Sequence, residues 1–245
     1  MLEVKGVSQP GIVANISFAL HKGEILGLSG LMGSGRTELA RVLFGLDSCE
    51  RGEILLQGVP LSRCSPRDRI RGGIAFLTED RREEGLLMGA SVVDNVALVA
   101  LPSFGGTLAK LIDQHRMVSA VSEVAASVRL RHTALDRPEA KTLSGGNQQK
   151  VVLAKWLLEK PSVFILDEPT RGIDVGAKYE VYRIINDLAA EGAGLLFISS
   201  EIEELIGMCD RILVMSNGEI QDCFERADFD KEKILRAAIR ETTLR

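Results

Sequence analysis

At 245 residues with 45% hydrophobic side chains, the chain is long enough to bury a substantial core, as one large domain or two small ones. Its 30 basic and 34 acidic residues leave a formal charge of −4, which argues against a nucleic-acid coat or a strongly basic membrane-binding face. Four cysteines (Cys49, Cys64, Cys209, Cys223) form no C-x-x-C pair and three histidines (His21, His115, His132) show no metal-ligand spacing, so a reduced, cytosolic chain is expected.

The N-terminus carries no basic-then-apolar leader, and no run approaches the ~18 uncharged apolar residues of a membrane helix. The chain is therefore expected to serve a membrane process only by docking onto another subunit. In chain order, short strands are predicted at 2–7 and 13–20, then a buried strand at 24–29. That last strand runs into Gly30-Leu31-Met32-Gly33-Ser34-Gly35-Arg36-Thr37, and a helix with apolar Leu39, Val42 and Leu43 follows. Strand, glycine loop and helix make a phosphate cradle, because backbone N–H groups can converge on an anion at a positively polarised helix start. The spacing is that of the P-loop, with Thr37 supplying a hydroxyl for Mg²⁺. Arg36 stands where the pattern wants lysine. A guanidinium is planar and prefers bidentate contacts, so it cannot replace a compact ammonium between two phosphates.

Gly45 stops the helix, and glycines bound another strand at 52–58, giving a small antiparallel sheet beside the P-loop core. Ser65 and Pro66 cap a short charged helix to Arg71. The strand at 73–78 ends in Glu79-Asp80-Arg81-Arg82-Glu83-Glu84, a charge cluster at a strand's carboxyl end, where ligands sit in open α/β sheets. Residues 86–142 read as a helical insertion, with helical periodicity at 91–101 and 117–130 and a Gly105-Gly106 break. Leu143-Ser144-Gly145-Gly146-Asn147-Gln148-Gln149-Lys150 then opens an apolar helix, a second turn that aims free N–H groups outward and makes a second anion site.

The apolar strand 163–167 ends in Asp167 and Glu168. Neighbouring strand residues point to opposite faces, so one carboxylate can approach Mg²⁺ while the other orients a nucleophilic water. Pro169-Thr170-Arg171-Gly172-Ile173-Asp174 follows. Helix 175–190, strand 195–199, helix 201–208, strand 211–216, a turn at Asn217-Gly218 and strand 219–223 complete an alternating α/β pattern. Residues 228–245 read as one charged helix.

The P-loop, the Leu143–Gln149 phrase, the strand to Asp167-Glu168, and Asp174 stand in the order and rough spacing of an ABC-type ATPase cassette, which the chain resembles over about residues 1–225. The phrases at 30–37, 78–82, 143–150 and 168–178 are similar, more narrowly, to the second cassette of the two-cassette ATPases that power bacterial sugar importers of the ribose/galactose type. The resemblance implies a P-loop NTPase fold of ABC type: a mostly parallel α/β core sheet, a small antiparallel β subdomain, a helical subdomain inserted at about 86–142, and a helical tail at 226–245. It implies ATP at Gly30, Leu31, Met32, Gly33, Ser34, Gly35, Arg36 and Thr37, with Mg²⁺ at Thr37 and Asp167. Glu168, Ser200 and Glu79 fall at the catalytic positions. Ser144, Gly145, Gly146, Asn147 and Gln148 form the signature that acts on a partner's ATP, and Asp174 is a dimer contact. The implied partners are a second ABC cassette, membrane permease subunits and, indirectly, a sugar-binding protein, with no nucleic acid. The implied location is the cytoplasmic face of the bacterial inner membrane.

Departures from the family pattern cluster. Arg36 replaces the lysine, Glu79 stands where a glutamine is expected, and Ser200 replaces a switch histidine. No adenine-stacking aromatic precedes Gly30 except Phe18, which its strand pattern assigns to the core. These changes fall around the chain's own nucleotide while the signature is complete. The expectation is a degenerate cassette that lends its signature to a partner's site. Two alternatives are a nucleotide-binding module without turnover of its own, and a soluble ABC ATPase of DNA repair or translation. The latter would carry a long coiled-coil insertion or a basic surface.

Overall fold

Short runs without polar alternation are what strands covered on both faces require, and Val163–Asp167 and Gly194–Ile198 are buried at every position. The computed structural model describes residues 1–61, 65–105, 111–130, 135 and 139–239. The chain divides into two compact units, one of Met1–Phe76, Ser162–Pro169 and Ile185–Arg245, the other of Leu77–Pro161 and Thr170–Ile184.

The first unit holds two sheets. In the larger, six strands stand in the order β10 (Glu219–Glu225), β9 (Arg211–Ser216), β3 (Ile25–Gly30), β8 (Gly194–Ile198), β7 (Val163–Asp167), β6 (Ile74–Leu77). β3 pairs in parallel with β8 and β9, and β7 with β8, while β9 and β10 form an antiparallel hairpin through Asn217 and Gly218. The smaller sheet is the expected antiparallel one, in the order β2 (Val13–Leu20), β1 (Leu2–Gln9), β4 (Arg51–Leu56), β5 (Val59–Pro60). Phe18 is only half-buried, so the strand pattern that assigns it to the core is wrong; buried Ile16 and Leu20 fill that face instead. Helix α1 (Arg36–Phe44) stops at Gly45 (φ 79), whose N–H bonds back to Arg41 and Val42. Ser65 caps α2 (Pro66–Arg71) by accepting from the Asp68 N–H.

The second unit is helical. Asn95 in α3 (Val92–Ala97) is fully buried and bonds to Leu87 and Ser91, fixing the chain that leads into the helix. Where one helix is expected over 91–101, α3 ends early and a 3₁₀ turn, Leu101–Phe104, follows; Pro102 offers no N–H and disfavours helix at the residue before it. α4 (Gln114–Ser127) begins ahead of its expected start because the Asp113 carboxylate caps it, accepting from the Arg116 N–H. Most of the Glu79–Glu84 cluster is taken up by a π-helical turn, Arg81–Gly85, capped by Asp80. This unit extends beyond the expected 86–142 insertion to include α5 (Gly145–Leu157). Gly106 of the expected break, Cys64, and the tail residues 240–245 lie outside the described residues.

Two further helices, α6 (Val175–Ala190) and α7 (Ile202–Met208), precede the tail. The described tail is α8 (Lys231–Ile239), which buries Ile234, Ala237 and Ala238 at helical spacing against β9 and β3. Among the described residues no helix is long and apolar enough to cross a membrane.

Lys155 in α5 is the least expected core residue. Its Nζ donates to the Gly85 carbonyl at 2.7 Å and lies 5.3 Å from the Trp156 ring centre, and burial lowers its pKa to about 8. A lysine titrating lower folded than unfolded is destabilising while charged in both states, and stability returns as pH rises from about 8 towards the ~10.4 of the unfolded chain. Wild type should therefore gain stability relative to Lys155→Met between pH 7.5 and 9.5 in urea denaturation. A difference that stays flat over that range would show the ammonium is not strained by burial.

Candidate functional site

In the first unit, β3, the glycine loop and α1 form the expected cradle. Gly35 is the N-cap of α1 at φ 96, and no side chain caps the helix, so its first N–H groups remain available to a ligand. A Cβ at Gly30 would lie 2.4 Å from Ser34 Oγ and 2.6 Å from the Met215 carbonyl, so only glycine lets the loop close this tightly. Leu31 and Met32 form the solvent-facing tip, 49% and 99% exposed. Ser34 Oγ is buried with no hydrogen-bond partner among the described residues, and Gly33 has open space beside it.

Arg36 does not reach into that cradle. Its Nη1 donates to the Ser199 carbonyl at 2.9 Å and stands 3.9 Å from Glu168 Oε1, with the two side chains only 12% and 11% exposed. The Ser200 hydroxyl donates to Glu168 Oε2 at 3.2 Å. Burial raises the Glu168 pKa, while Ser200 and Arg36 pull it back. The carboxylate that would orient water is thus engaged by a cation and a hydroxyl of its own chain. The strand ends at Asp167 and Glu168 turns away at φ 47, a left-handed conformation costly for a side chain this size, so the two carboxylates part through a backbone turn and not through strand alternation.

Asp167 is fully buried, and neither oxygen makes a well-formed hydrogen bond among the described residues, the Thr37 hydroxyl being a marginal donor to it. Burial pushes its pKa up to about 6; the Thr37 hydroxyl opposes this and the Glu168 charge adds to it. An under-satisfied buried carboxylate beside a hydroxyl and a phosphate cradle fits Mg²⁺, which binds through one or two protein oxygens and takes the rest from phosphate and water. Among the described residues no cluster of three His, Cys, Asp or Glu side chains could hold a metal by itself.

A hollow of about 680 Å³ opens beside Gly33, walled by Pro10, Ile12, Val13, Arg51, Asn217 and Gly218, with no aromatic side chain in its lining. A flat base would meet aliphatic and polar groups there.

The second unit carries Glu79, the signature and Asp174. Ser144 is exposed at the N-cap of α5, accepting weakly from the Asn147 N–H at 3.4 Å. Gly145 and Asn147 are half-buried, and Gly146 is buried against Ala177, 2.5 Å from where its Cβ would be. Gln148, expected with the signature residues to act on a partner's nucleotide, is 1% exposed here and donates inward to the Ala140 and Leu143 carbonyls at 3.4 and 3.3 Å, bracing the turn. Asp174 is exposed and caps α6, accepting from the Ala177 N–H at 3.0 Å. Glu79 forms an ion pair with Arg171.

Two groups were not foreseen. The Ser199 carbonyl anchors Arg36, and no side-chain signal marks a backbone acceptor. Arg81 donates to two successive carbonyls, Arg171 O at 2.7 Å and Gly172 O at 3.0 Å; only the density of its charge cluster hinted at it.

Residues 13–171 match the ABC transporter family. The ribose import ATP-binding protein RbsA 1 of Rubrobacter xylanophilus is 44% identical over 236 residues, covering 96% of this chain and 47% of that protein. The xylose import ATP-binding protein XylG of Geobacillus kaustophilus is 47% identical over 228 residues, covering 93% of this chain and 45% of that protein. The chain thus spans about half the length of these relatives. A nucleotide-free ATP-binding cassette from an ABC transporter superposes with TM-score 0.84 at 21% identity, covering 98% of this chain and 99% of that one. The ATP-binding cassette MJ0796 bound to ADP and Pi gives TM-score 0.78 at 20% identity, covering 94% and 100%.

Proposed function

Because the chain belongs to the ABC transporter family of ATP-binding cassettes, we propose that it is an ATP-binding module of a bacterial sugar importer, and a degenerate one. The cassette binds Mg-ATP in a structural or slow role and lends its signature to the competent ATP site of a second cassette. Matching about half of each ribose or xylose relative supports a place as one of two cassettes, and the resemblance of the phrases at 30–37 and 143–150 favours the second. On this reading it works at the cytoplasmic face of the inner membrane against permease subunits, served indirectly by a sugar-binding protein, and touches no nucleic acid.

The observation that carries the reading is the Arg36 guanidinium held on the Ser199 carbonyl and facing Glu168. In a working site the P-loop cation meets phosphate and the carboxylate meets water. Here each has the other as a neighbour. Gly33, Ser34, Gly35 and the first N–H groups of α1 would hold the phosphates, and Thr37 with Asp167 would hold Mg²⁺, which supplies charge neutralisation on phosphate oxygens. Glu79 pairs with Arg171 within the second unit. Ser144, Gly145 and Asn147 would face the partner's nucleotide, with Asp174 at the contact.

A module with no turnover at its own site is the second reading, and the engagement of Glu168 by Arg36 and Ser200 favours it. Steady-state hydrolysis by the purified chain separates the two. Slow turnover that Glu168→Gln eliminates supports a residual active site, and turnover indifferent to Glu168→Gln supports a binding module.

Affinity follows from the same geometry. With no aromatic in the hollow beside Gly33 and the cation drawn away, Mg-ATP should bind the isolated chain weaker than micromolar by calorimetry. A submicromolar dissociation constant would count against the degenerate reading. Thr37→Ala should weaken Mg-ATP by about tenfold, roughly one hydrogen bond to a charged group, and metal-free ATP much less. Equal weakening of both would mean that the hydroxyl serves the helix and not the metal.

A further inference from the structure

The Glu79–Glu84 charge cluster does more than solvate a loop, and its geometry lies wholly within the second unit. The two Arg81 bonds go to the carbonyls of adjacent residues, which a planar fork meets with two separate nitrogens in fixed geometry, whereas an ammonium would have to reach both from one point. The second acceptor belongs to Gly172 at φ 67, a left-handed residue that turns its carbonyl towards the fork. Arg81 Nη2 also lies 2.9 Å from where a Cβ on Gly145 would be, with the Gly172 carbonyl 3.2 Å and Ile173 Cγ2 3.4 Å from the same point. The signature turn, the Arg171–Asp174 loop and the guanidinium therefore close on one small volume that only glycine leaves open.

The other end of the π-turn is bolted to the signature helix. A Cβ on Gly85 would be 3.3 Å from Val152, and the Gly85 carbonyl accepts from Lys155. The Glu79–Arg171 pair adds a second tie between the charge cluster and the Arg171–Asp174 loop. Arg81 Nε is buried with no hydrogen-bond partner among the described residues, so one donor is left unsatisfied to hold two carbonyls.

We propose that Arg81 is a positioning residue: it locks the Arg171–Asp174 loop to the Ser144–Gly146 turn, so that the signature and Asp174 are presented to a partner's nucleotide as one rigid piece. The proposal rests on the reading that the signature serves a partner's site.

Amide exchange on the purified chain tests the lock, and ATP turnover of the assembled two-cassette complex tests its use. In Arg81→Met, and in Arg81→Lys, which keeps the charge but not the fork, exchange should rise together in peptides covering 144–147 and 170–174. Exchange across 114–127 should not change. Turnover should fall about tenfold or more, towards the ~10² that a misplacement of about 1 Å costs, at unchanged KM for ATP. Rescue of exchange and turnover by Arg81→Lys would overturn the fork argument. A rise in exchange throughout the unit would reduce Arg81 to a general stabiliser and overturn the proposal. If turnover survives both Arg81 variants while Ser144→Arg abolishes it, the positioning role fails. If it survives Ser144→Arg as well, the reading of the signature fails, and the positioning role with it; rising exchange in the two loops would then leave only the lock.

Discussion

Ser144→Arg should cut ATP turnover of the assembled two-cassette complex by about 10²–10³-fold, the usual cost of losing preorganised donors to developing charge, while Glu168→Gln leaves most of it standing. The asymmetry follows from where each side chain lies. Ser144 is exposed at the start of α5, and its hydroxyl caps the helix through a long 3.4 Å contact, so replacing it costs roughly 1 kcal/mol of stability at most and puts a bulky cation where a partner's nucleotide would approach. Glycine variants of the signature make poorer probes. A side chain at Gly145 would strike Arg81 and the Gly172 carbonyl, and one at Gly146 would meet Ala177 at 2.5 Å, so lost activity would mix lost donors with a distorted unit. Glu168 already faces Arg36 and accepts from Ser200, and making it an amide removes little that could be used. Both variants need assembly checked first. Should Glu168→Gln abolish turnover while Ser144→Arg stays active, the roles are inverted, and this cassette is the engine.

What the sequence made legible follows from what local chemistry encodes. The glycine loop, the apolar strands and the cap at Ser65 are local devices, and they appear within a residue or two of their expected places. Helix ends in the second unit were less legible: a proline shortened one, and another, capped by an aspartate, starts and ends three residues earlier than its periodicity suggested. Long-range facts were not legible. Gln148 reads as part of an outward-facing phrase, yet the carbonyls of Ala140 and Leu143 turn it inward. Phe18 alternates as a core residue should, but the packing of the small sheet leaves it half-exposed. The departure at Arg36 was plain from spacing, whereas its consequence depends on the Ser199 carbonyl, 163 residues along the chain.

Arg36→Lys should tighten Mg-ATP binding to the isolated chain by about tenfold, roughly 1.4 kcal/mol, and still leave hydrolysis far below the ~1 s⁻¹ of slow enzymes. An ammonium is more compact than a guanidinium and lacks its planar fork, so lysine should release the Ser199 carbonyl and turn towards an anion in the cradle. The affinity gain is limited because the hollow beside Gly33 still offers no aromatic surface to a base. The rate stays low for a different reason. Glu168 loses its cationic neighbour, and burial, which already raises its pKa, then acts with less opposition and favours the protonated form, a poorer base. Ser200 still holds that carboxyl through a hydroxyl that carries no charge, and Glu79 still answers to Arg171. Adding Ser200→His to Arg36→Lys supplies a group able to carry charge beside both Glu168 and the phosphate, so the double variant should turn over faster than either single one. Calorimetry and a coupled assay on the three variants decide it. If Arg36→Lys alone reaches ~1 s⁻¹, the arginine was the whole of the defect, and the serine and glutamate departures carry no catalytic cost.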